Sequence, residues 1–258
     1  MPGRVRNYRW LSVAAITVLP ALASGHVAPS RDDNNRYVKL TPMGDRVRVA
    51  YTVFYGDNPG RVVRRAIDTN RDGAIAADEA QAFANQVADE VGRAVEVTID
   101  GAAQPIHWAH ILPGMGSAET AAGAFSIDLV AWLCLPSLRG THHVTLRDQF
   151  RIPKPGETEI HVEDSPGVTI DHTHVGRHQS SEHIYKFLGP GGALSDDGLD
   201  LTFTAGDRAA VMTDATCAGV TTSEEPRATP TLAAWILAAV GAGAAVLGYV
   251  ALRRRRKS

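Results

Sequence analysis

The stretch DTNRDGAIAADE, residues 68–79, constrains this chain more than any other part of its sequence. Side chains that carry oxygen stand at its first, third and fifth positions, Gly73 follows at the sixth, and a carboxylate ends it. Calcium takes about six to eight oxygen ligands, and a loop that alternates such residues around a sharp glycine turn directs its oxygens at one point. The stretch therefore predicts a loop that binds a hard divalent cation.

The position of each residue in the loop predicts its role. Ala74 at position seven would offer its backbone carbonyl, and Ala76 at position nine could contribute only through a water. Ile75 between them is apolar and suited to the core. The predicted calcium ligands are Asp68, Asn70, Asp72, Ala74 and Glu79.

Helical patterns flank the loop. NPGRVVRRAI precedes it, with Pro59 near a helix start, and DEAQAFANQVADEVGRAV follows it, with apolar residues recurring every three or four positions. The segment over residues 58–95 resembles an EF-hand, and this resemblance implies calcium as the bound ion. Because a second loop is not found in the sequence, we expect the ion to hold two helices together rather than to operate a sensor groove. An Asx-rich turn that binds nothing is the alternative.

The two ends of the chain have patterns of export and anchoring. Residues 1–23 combine three arginines, a short apolar run and a small-residue exit at Ala21 and Ala23, which is typical of a cleaved signal peptide; an N-terminal anchor is the alternative. Residues 231–252 carry no charge and would span about 33 Å as a helix, enough for one bilayer crossing. The basic residues that follow should stay in the cytoplasm.

These patterns predict a single-pass protein of the cell membrane. Its C-terminal helix would contact the lipid bilayer, the bulk of the chain would be extracytoplasmic, and a short tail would be cytoplasmic. The predicted parts are a signal peptide (1–23), an extracytoplasmic domain (24–212), a stalk (213–230), a transmembrane helix (231–252) and a basic tail (253–258).

The distribution of charge agrees with this division. Of the 26 Lys and Arg, three lie in the signal and five in the tail, which leaves 18 between them against all 28 Asp and Glu, a net charge of −10. An acidic exported region argues against nucleic acid as a partner. Protein partners are not indicated by the sequence.

Strand patterns dominate the exported region outside the loop. RYVKL and RVRVAYTVF, joined by the turn PMGD, predict a hairpin, and several short strands punctuated by Gly and Pro follow. GLDLTFTA predicts a last strand, and SSEHIYKFL predicts a short helix. The expected fold class is α+β: a sheet-rich, sandwich-like extracytoplasmic domain with an inserted EF-hand helix pair, plus one C-terminal transmembrane helix.

The two cysteines leave two alternatives. An exported compartment allows a disulfide between Cys134 and Cys217 to persist. Cys134 also lies in the apolar run LVAWLCL, where a buried free thiol is equally compatible with the sequence.

Histidines suggest a second hypothesis, the capture of a transition metal. Nine of the ten fall between His107 and His183. His172 and His174 would point the same way from a strand, about 7 Å apart, and imidazole suits zinc, copper, nickel or cobalt. Of the adjacent pair at 142 and 143, only one could face any single site. Exposed histidines that bind nothing, or a pH-responsive surface, are the alternatives. The candidate ligands are His172, His174, His178 and His183.

The order of segments supplies a further resemblance. The hairpin, the loop IDTNRDGAIAADEA, the strand VEVTIDG and the run LCLPSLRGTHHVTLRD resemble the extracytoplasmic N-terminal domain of bacterial nickel/cobalt exporter-like proteins, over roughly residues 26–175. This implies an exported, sheet-rich domain near metal-handling functions. Transport is not implied, because the multi-helix permease of those proteins does not follow.

Enzyme signatures are poor. The sequence contains no G-x-S-x-G, H-E-x-x-H or phosphate-loop motif. We therefore expect a binding protein without catalytic residues rather than an enzyme.

Overall fold

The computed structural model describes residues 32–217. The predicted signal peptide, transmembrane helix and basic tail, and most of the predicted stalk, lie outside the described residues.

Two six-stranded sheets form the body of the protein. Their strands bury alternate side chains, as in residues 125–134, where every second residue is buried; this is the pattern of a sheet with one face in the core. The first sheet contains β1 (Asn34–Pro42), β2 (Arg46–Tyr55), β5 (Trp108–Gly114), β6 (Phe125–Cys134), β8 (Pro155–Val162) and β11 (Ile184–Leu188). Its spatial order is β11-β8-β1-β2-β6-β5.

The second sheet also has six strands. It contains β3 (Val95–Ile99), β4 (Ala102–Gln104), β7 (Gly140–Asp148), β9 (Val168–Val175), β10 (His178–Gln179) and β12 (Leu199–Ala205). The order is β10-β9-β12-β7-β3-β4. Within residues 32–217, β1 and β8 form a parallel pair and the other named pairs are antiparallel.

The two sheets share one apolar core. Fully buried side chains from both sheets belong to a single cluster, including Val49 and Leu129 of the first sheet and Leu146 and Leu201 of the second. A polar contact also joins the sheets, since the Tyr51 hydroxyl of β2 donates to Asp148 of β7 at 2.7 Å. The result is a β-sandwich.

Within residues 32–217 the α-helices are α1 (Asp57–Ile67), α2 (Ala77–Ala94) and the short α3 (Gly192–Asp196), and a 3₁₀ turn covers Ala215–Cys217. α2 packs chiefly against β5, the edge strand of the first sheet. Trp108 of β5 donates its indole N–H to the Ala88 carbonyl at 2.9 Å. Phe83 of α2 packs against Tyr55 and Phe125, with ring centroids 5.9 and 6.2 Å away. Apolar and aromatic contacts thus hold α2 against the sandwich.

The predicted fold class needs correction. The described fold is a two-sheet sandwich with three α-helices, and none of the helices within residues 32–217 is long and apolar enough to cross a membrane. The segment SSEHIYKFL, predicted as a helix, contains strand β11, which pairs antiparallel with β8 and buries Tyr185. Pairing at the sheet edge outweighs the local helical pattern there. The hairpin of β1 and β2 and the strand β12 are confirmed.

Cys134 and Cys217 form a disulfide, so the first of the two cysteine alternatives is the one found. Nearby, the buried Arg46 donates to both carboxylate oxygens of Asp214 at 2.9 Å. The part of the predicted stalk that the structure describes, residues 213–217, is therefore attached to the sandwich.

Candidate functional site

The predicted cation loop lies between α1 and α2, and its first half is a tight turn. The Asp68 carboxylate accepts the backbone N–H groups of Asp72 at 3.2 Å and Gly73 at 3.0 Å. Asn70 Oδ1 accepts the same Asp72 N–H at 2.8 Å. Gly73 has φ of 89°, a left-handed conformation that glycine adopts readily. These bonds place the oxygens of Asp68, Asn70 and Asp72 around one turn of backbone.

Glu79, in the first turn of α2, reaches back to the start of the loop. Its carboxylate accepts the Thr69 hydroxyl at 2.6 Å and the backbone N–H groups of Thr69 at 2.8 Å and Ala76 at 3.0 Å. These bonds lower the pKa of Glu79 to about 2, and the bond from the Thr69 hydroxyl has the largest effect. The side chain is therefore ionised at neutral pH, and it joins the two ends of the loop.

A second segment, residues 115–124, pairs with the middle of the loop. Ala74 forms an isolated bridge with Glu119, the Ile75 N–H donates to the Ala118 carbonyl at 2.7 Å, and the Thr120 N–H donates to the Gly73 carbonyl at 3.1 Å. Ile75 is buried in the common core. The loop is thus paired with an irregular segment of the sandwich rather than with a second loop of its own kind.

Arg64 of α1 holds this paired segment in place. The guanidinium is fully buried and donates to the carbonyls of Ser117 at 2.8 Å and Gly123 at 3.0 Å, and also to that of Met115. Longer contacts reach Glu119 and Ala124, both at 3.3 Å. Burial lowers the pKa of Arg64.

Arg64 was not among the predicted site residues. The spacing of residues 60, 64 and 67 was a signal in the sequence, because it places them on one face of a helix, and the structure shows that this face is the buried one.

The donor set of the loop suits calcium. All five predicted ligands offer oxygen, and three of them, Asp68, Asp72 and Glu79, are carboxylates; oxygen ligands are those that hard cations prefer. In the described residues no three His, Cys, Asp or Glu side chains are already grouped around one point. In the loop this is because the carboxylates accept backbone N–H groups instead. The five residues would hold the ion by exchanging part of these hydrogen bonds for coordination.

The four predicted histidine ligands are not brought together. His172 Nε2 and His174 Nδ1 lie 3.0 Å apart on β9. His178 of β10 is opposite Val175, whose side chain is buried, and its ring packs edge-on against Phe187 with centroids 5.2 Å apart. His183 precedes β11 of the other sheet. Of these four histidines, only His172 and His174 are close enough to bind the same ion.

A buried polar group between the sheets was also not predicted. Arg36 of β1 pairs with Asp148 at 2.7 Å, and Asp148 also accepts the Tyr51 hydroxyl. Burial raises the pKa of Asp148, and the neighbouring Arg36 opposes this shift. A cavity of about 380 Å³ adjoins this pair. Arg36 and Tyr51 belong to the first sheet and Asp148 to the second, so these two contacts join the sheets. The positive charge of Arg36 also balances the buried carboxylate.

Among known proteins, the chain matches no family model and no curated protein. Its function must therefore be argued from the chemistry of its own residues, and the two resemblances seen in the sequence stay predictions.

Proposed function

We propose that the protein is an extracytoplasmic calcium-binding protein that holds one structural ion in the loop of residues 68–79. The ligands are the side chains of Asp68, Asn70, Asp72 and Glu79 and the backbone carbonyl of Ala74. The observation that carries the proposal is the return of Glu79 to the start of the loop, which brings the twelfth position beside the turn that contains the first, third and fifth.

Electrostatics supports an ion at this place. The loop carries four carboxylates, three of them on predicted ligands, against one arginine. These carboxylates repel one another, and a cation bound between them relieves the repulsion. Asn70, Asp72 and Ala74 are exposed and Glu79 is partly exposed, so ions have access to the loop, whereas Asp68 is buried at its base. Calcium, with its flexible coordination, accepts both the carboxylate and the carbonyl oxygens of this set.

The surroundings favour a structural ion over a regulatory one. A sensor needs a helix pair that can open an apolar groove. Here α2 is packed against β5, Ile75 is buried, and the loop is bonded to residues 115–124, which Arg64 holds. The ion would therefore join α1 and α2 to each other and to the sandwich.

An oxidising compartment is supported by the disulfide. Cys134 and Cys217 are bonded across 83 residues of sequence, and such bonds persist mainly in exported proteins. Calcium at the high concentration found outside cells would allow even a site of modest affinity to be filled.

Calorimetric titration of the purified full-length chain with CaCl₂ tests the proposal. We expect one site per chain, with weaker binding of Mg²⁺, and at a calcium concentration of about 100 times Kd the free energy of unfolding should rise by about 2.7 kcal/mol. Glu79→Gln should abolish or strongly weaken binding. Asp89→Asn, an exposed position of α2 outside the loop, is the matched control and should bind normally. Equal affinity in both variants, or no binding by the unaltered protein, would contradict the proposal.

A further inference from the structure

The exposed face of the second sheet contains a cluster of histidine and aspartate side chains from three neighbouring strands. A bulge in β9 contributes to it: Thr202 of β12 is opposite His172, but the next residue, Phe203, is opposite Ile170. Asp171 is therefore the extra residue, and both Asp171 and His172 are exposed. Bulges of this kind redirect side chains, often beside functional sites.

The register of the strands brings the other members together. Asp200 of β12 is directly opposite His174 of β9. Thr202, two residues on, lies between His172 on one side and His143 of β7 on the other. Residues opposite one another in a sheet share a face, with Cβ atoms about 4.5–5.5 Å apart. His143, His172, His174 and Asp200 therefore occupy adjacent positions on one surface.

The side chains are already in contact as two pairs. His172 Nε2 lies 3.0 Å from His174 Nδ1, and His143 Nε2 lies 3.0 Å from Asp200 Oδ2. His143 and Asp200 remain 44% and 32% exposed, so an ion in solution can reach them. The adjacent residue His142 faces inward and bonds to Asp100, and it takes no part in this surface.

The separation of the two imidazole nitrogens is that of ligands to one metal. Nitrogens bound at about 2.0–2.1 Å to the same ion lie about 2.9 Å apart at right angles and about 3.3–3.4 Å apart in a tetrahedron, so a small shift of either ring suits both geometries. Without a metal, one of the two nitrogens carries a proton and donates it to the other in an N–H···N hydrogen bond. A metal ion can take the place of that proton.

We propose that this face binds one divalent transition ion, of the zinc, copper or nickel type, through His172, His174 and Asp200. His143 is a positioning residue, because its Nε2 hydrogen bond holds the Asp200 carboxylate; such partners fix the orientation and basicity of a ligand. Asp200 would bind the ion through Oδ1, on the side of His174, its direct cross-strand neighbour, while Oδ2 keeps its hydrogen bond to His143. Imidazole and carboxylate in this ratio suit these ions better than calcium, which distinguishes the site from the loop of residues 68–79.

The test is titration of the full-length protein, without an affinity tag, with ZnCl₂ and CuCl₂ in the presence of saturating calcium. We expect one site per chain. His172→Ala or His174→Ala should lower the affinity by about 100-fold or more, and His143→Gln by about 10- to 100-fold. His178→Ala is the matched control, since His178 lies in the same segment but on the opposite face of the sheet, and it should bind normally. Glu79→Gln should also leave zinc binding unchanged.

Electron paramagnetic resonance of the unaltered protein with one equivalent of Cu²⁺ gives a second measurement that does not depend on variants. Coupling to two imidazole nitrogens is expected, and the loss of one of the two couplings in His174→Ala, with intact circular dichroism, would support the site. A spectrum without nitrogen coupling, or equal loss of zinc affinity in His178→Ala and His174→Ala, would overturn the proposal.

Discussion

Replacing Arg64 by methionine tests how far the calcium loop depends on the segment with which it pairs. The guanidinium contacts five backbone carbonyls of residues 115–124, and three of these contacts are at 3.0 Å or closer. Methionine fills a similar volume but donates no hydrogen bond. The substitution therefore removes donors without opening a large cavity.

The size of the effect follows from the acceptors that are left. Each carbonyl that loses its donor costs about 1 kcal/mol, the low end of the usual range, because these carbonyls belong to partly exposed residues and some can find water. Three such carbonyls give a loss of about 3 kcal/mol in the free energy of unfolding. The cation–π contact of Arg64 with Phe125, at 5.2 Å, is also lost and adds to this figure.

Calcium affinity should fall as well, although Arg64 is not a ligand. Residues 118–120 pair with Gly73 and Ile75 of the loop, so a mobile segment would leave the loop less ordered before binding. We expect a decrease of about tenfold in affinity, which corresponds to about 1.4 kcal/mol.

Urea denaturation in EDTA measures the first effect, and calorimetric titration with calcium measures the second. Arg65→Met is the matched control, because Arg65 is the next residue of α1, carries the same charge and is exposed. A loss of less than 1 kcal/mol in Arg64→Met, or an equal loss in Arg65→Met, would refute the reasoning. Normal calcium affinity in a destabilised Arg64→Met would refute the coupling alone.

Three further predictions concern the sandwich. Tyr51→Phe removes a bond to a buried carboxylate and should cost about 1.5–3 kcal/mol in urea denaturation, whereas Tyr185→Phe, which loses a 3.3 Å bond to a hydroxyl, should cost about 1 kcal/mol or less; equal costs would contradict this. Cys134→Ser/Cys217→Ser should lower the free energy of unfolding by about 4.5 kcal/mol, the value for a loop closed across 83 residues; no change in the urea midpoint would refute it. Burial raises the pKa of Tyr55 from 10.0 to about 12, so the folded state keeps the phenol proton at a pH where the unfolded chain loses it. The free energy of unfolding should therefore be unaffected by this group below pH 10 and should fall between pH 10 and 12. A Tyr55→Phe variant with the same alkaline stability profile as the unaltered protein would count against this.

Local patterns predicted the local structure well. The periodicity of α2, the glycine turn at Gly73 and the hairpin of β1 and β2 each depend on residues close in sequence, and all three are present in the structure. The loop that could hold calcium was therefore recognisable from its sequence alone. Whether it binds the ion stays a prediction.

Contacts between distant segments could not be predicted. The parallel pairing of β1 with β8, the conversion of residues 184–188 into an edge strand and the pairing of Ala74 with Glu119 depend on partners far away in the chain. The same holds for the metal-binding hypothesis on the histidines. The strand spacing of His172 and His174 was visible in the sequence, but their proximity to Asp200 follows only from the sheet register.

An anomalous difference map from crystals of the full-length protein grown with CaCl₂ tests the central claim most directly. The account predicts one calcium peak between residues 68 and 79, about 2.3–2.6 Å from oxygens of Asp68, Asn70, Asp72, Ala74 and Glu79. A map without a peak at this place, with Glu79 still bonded to Thr69 and Ala76, would contradict it.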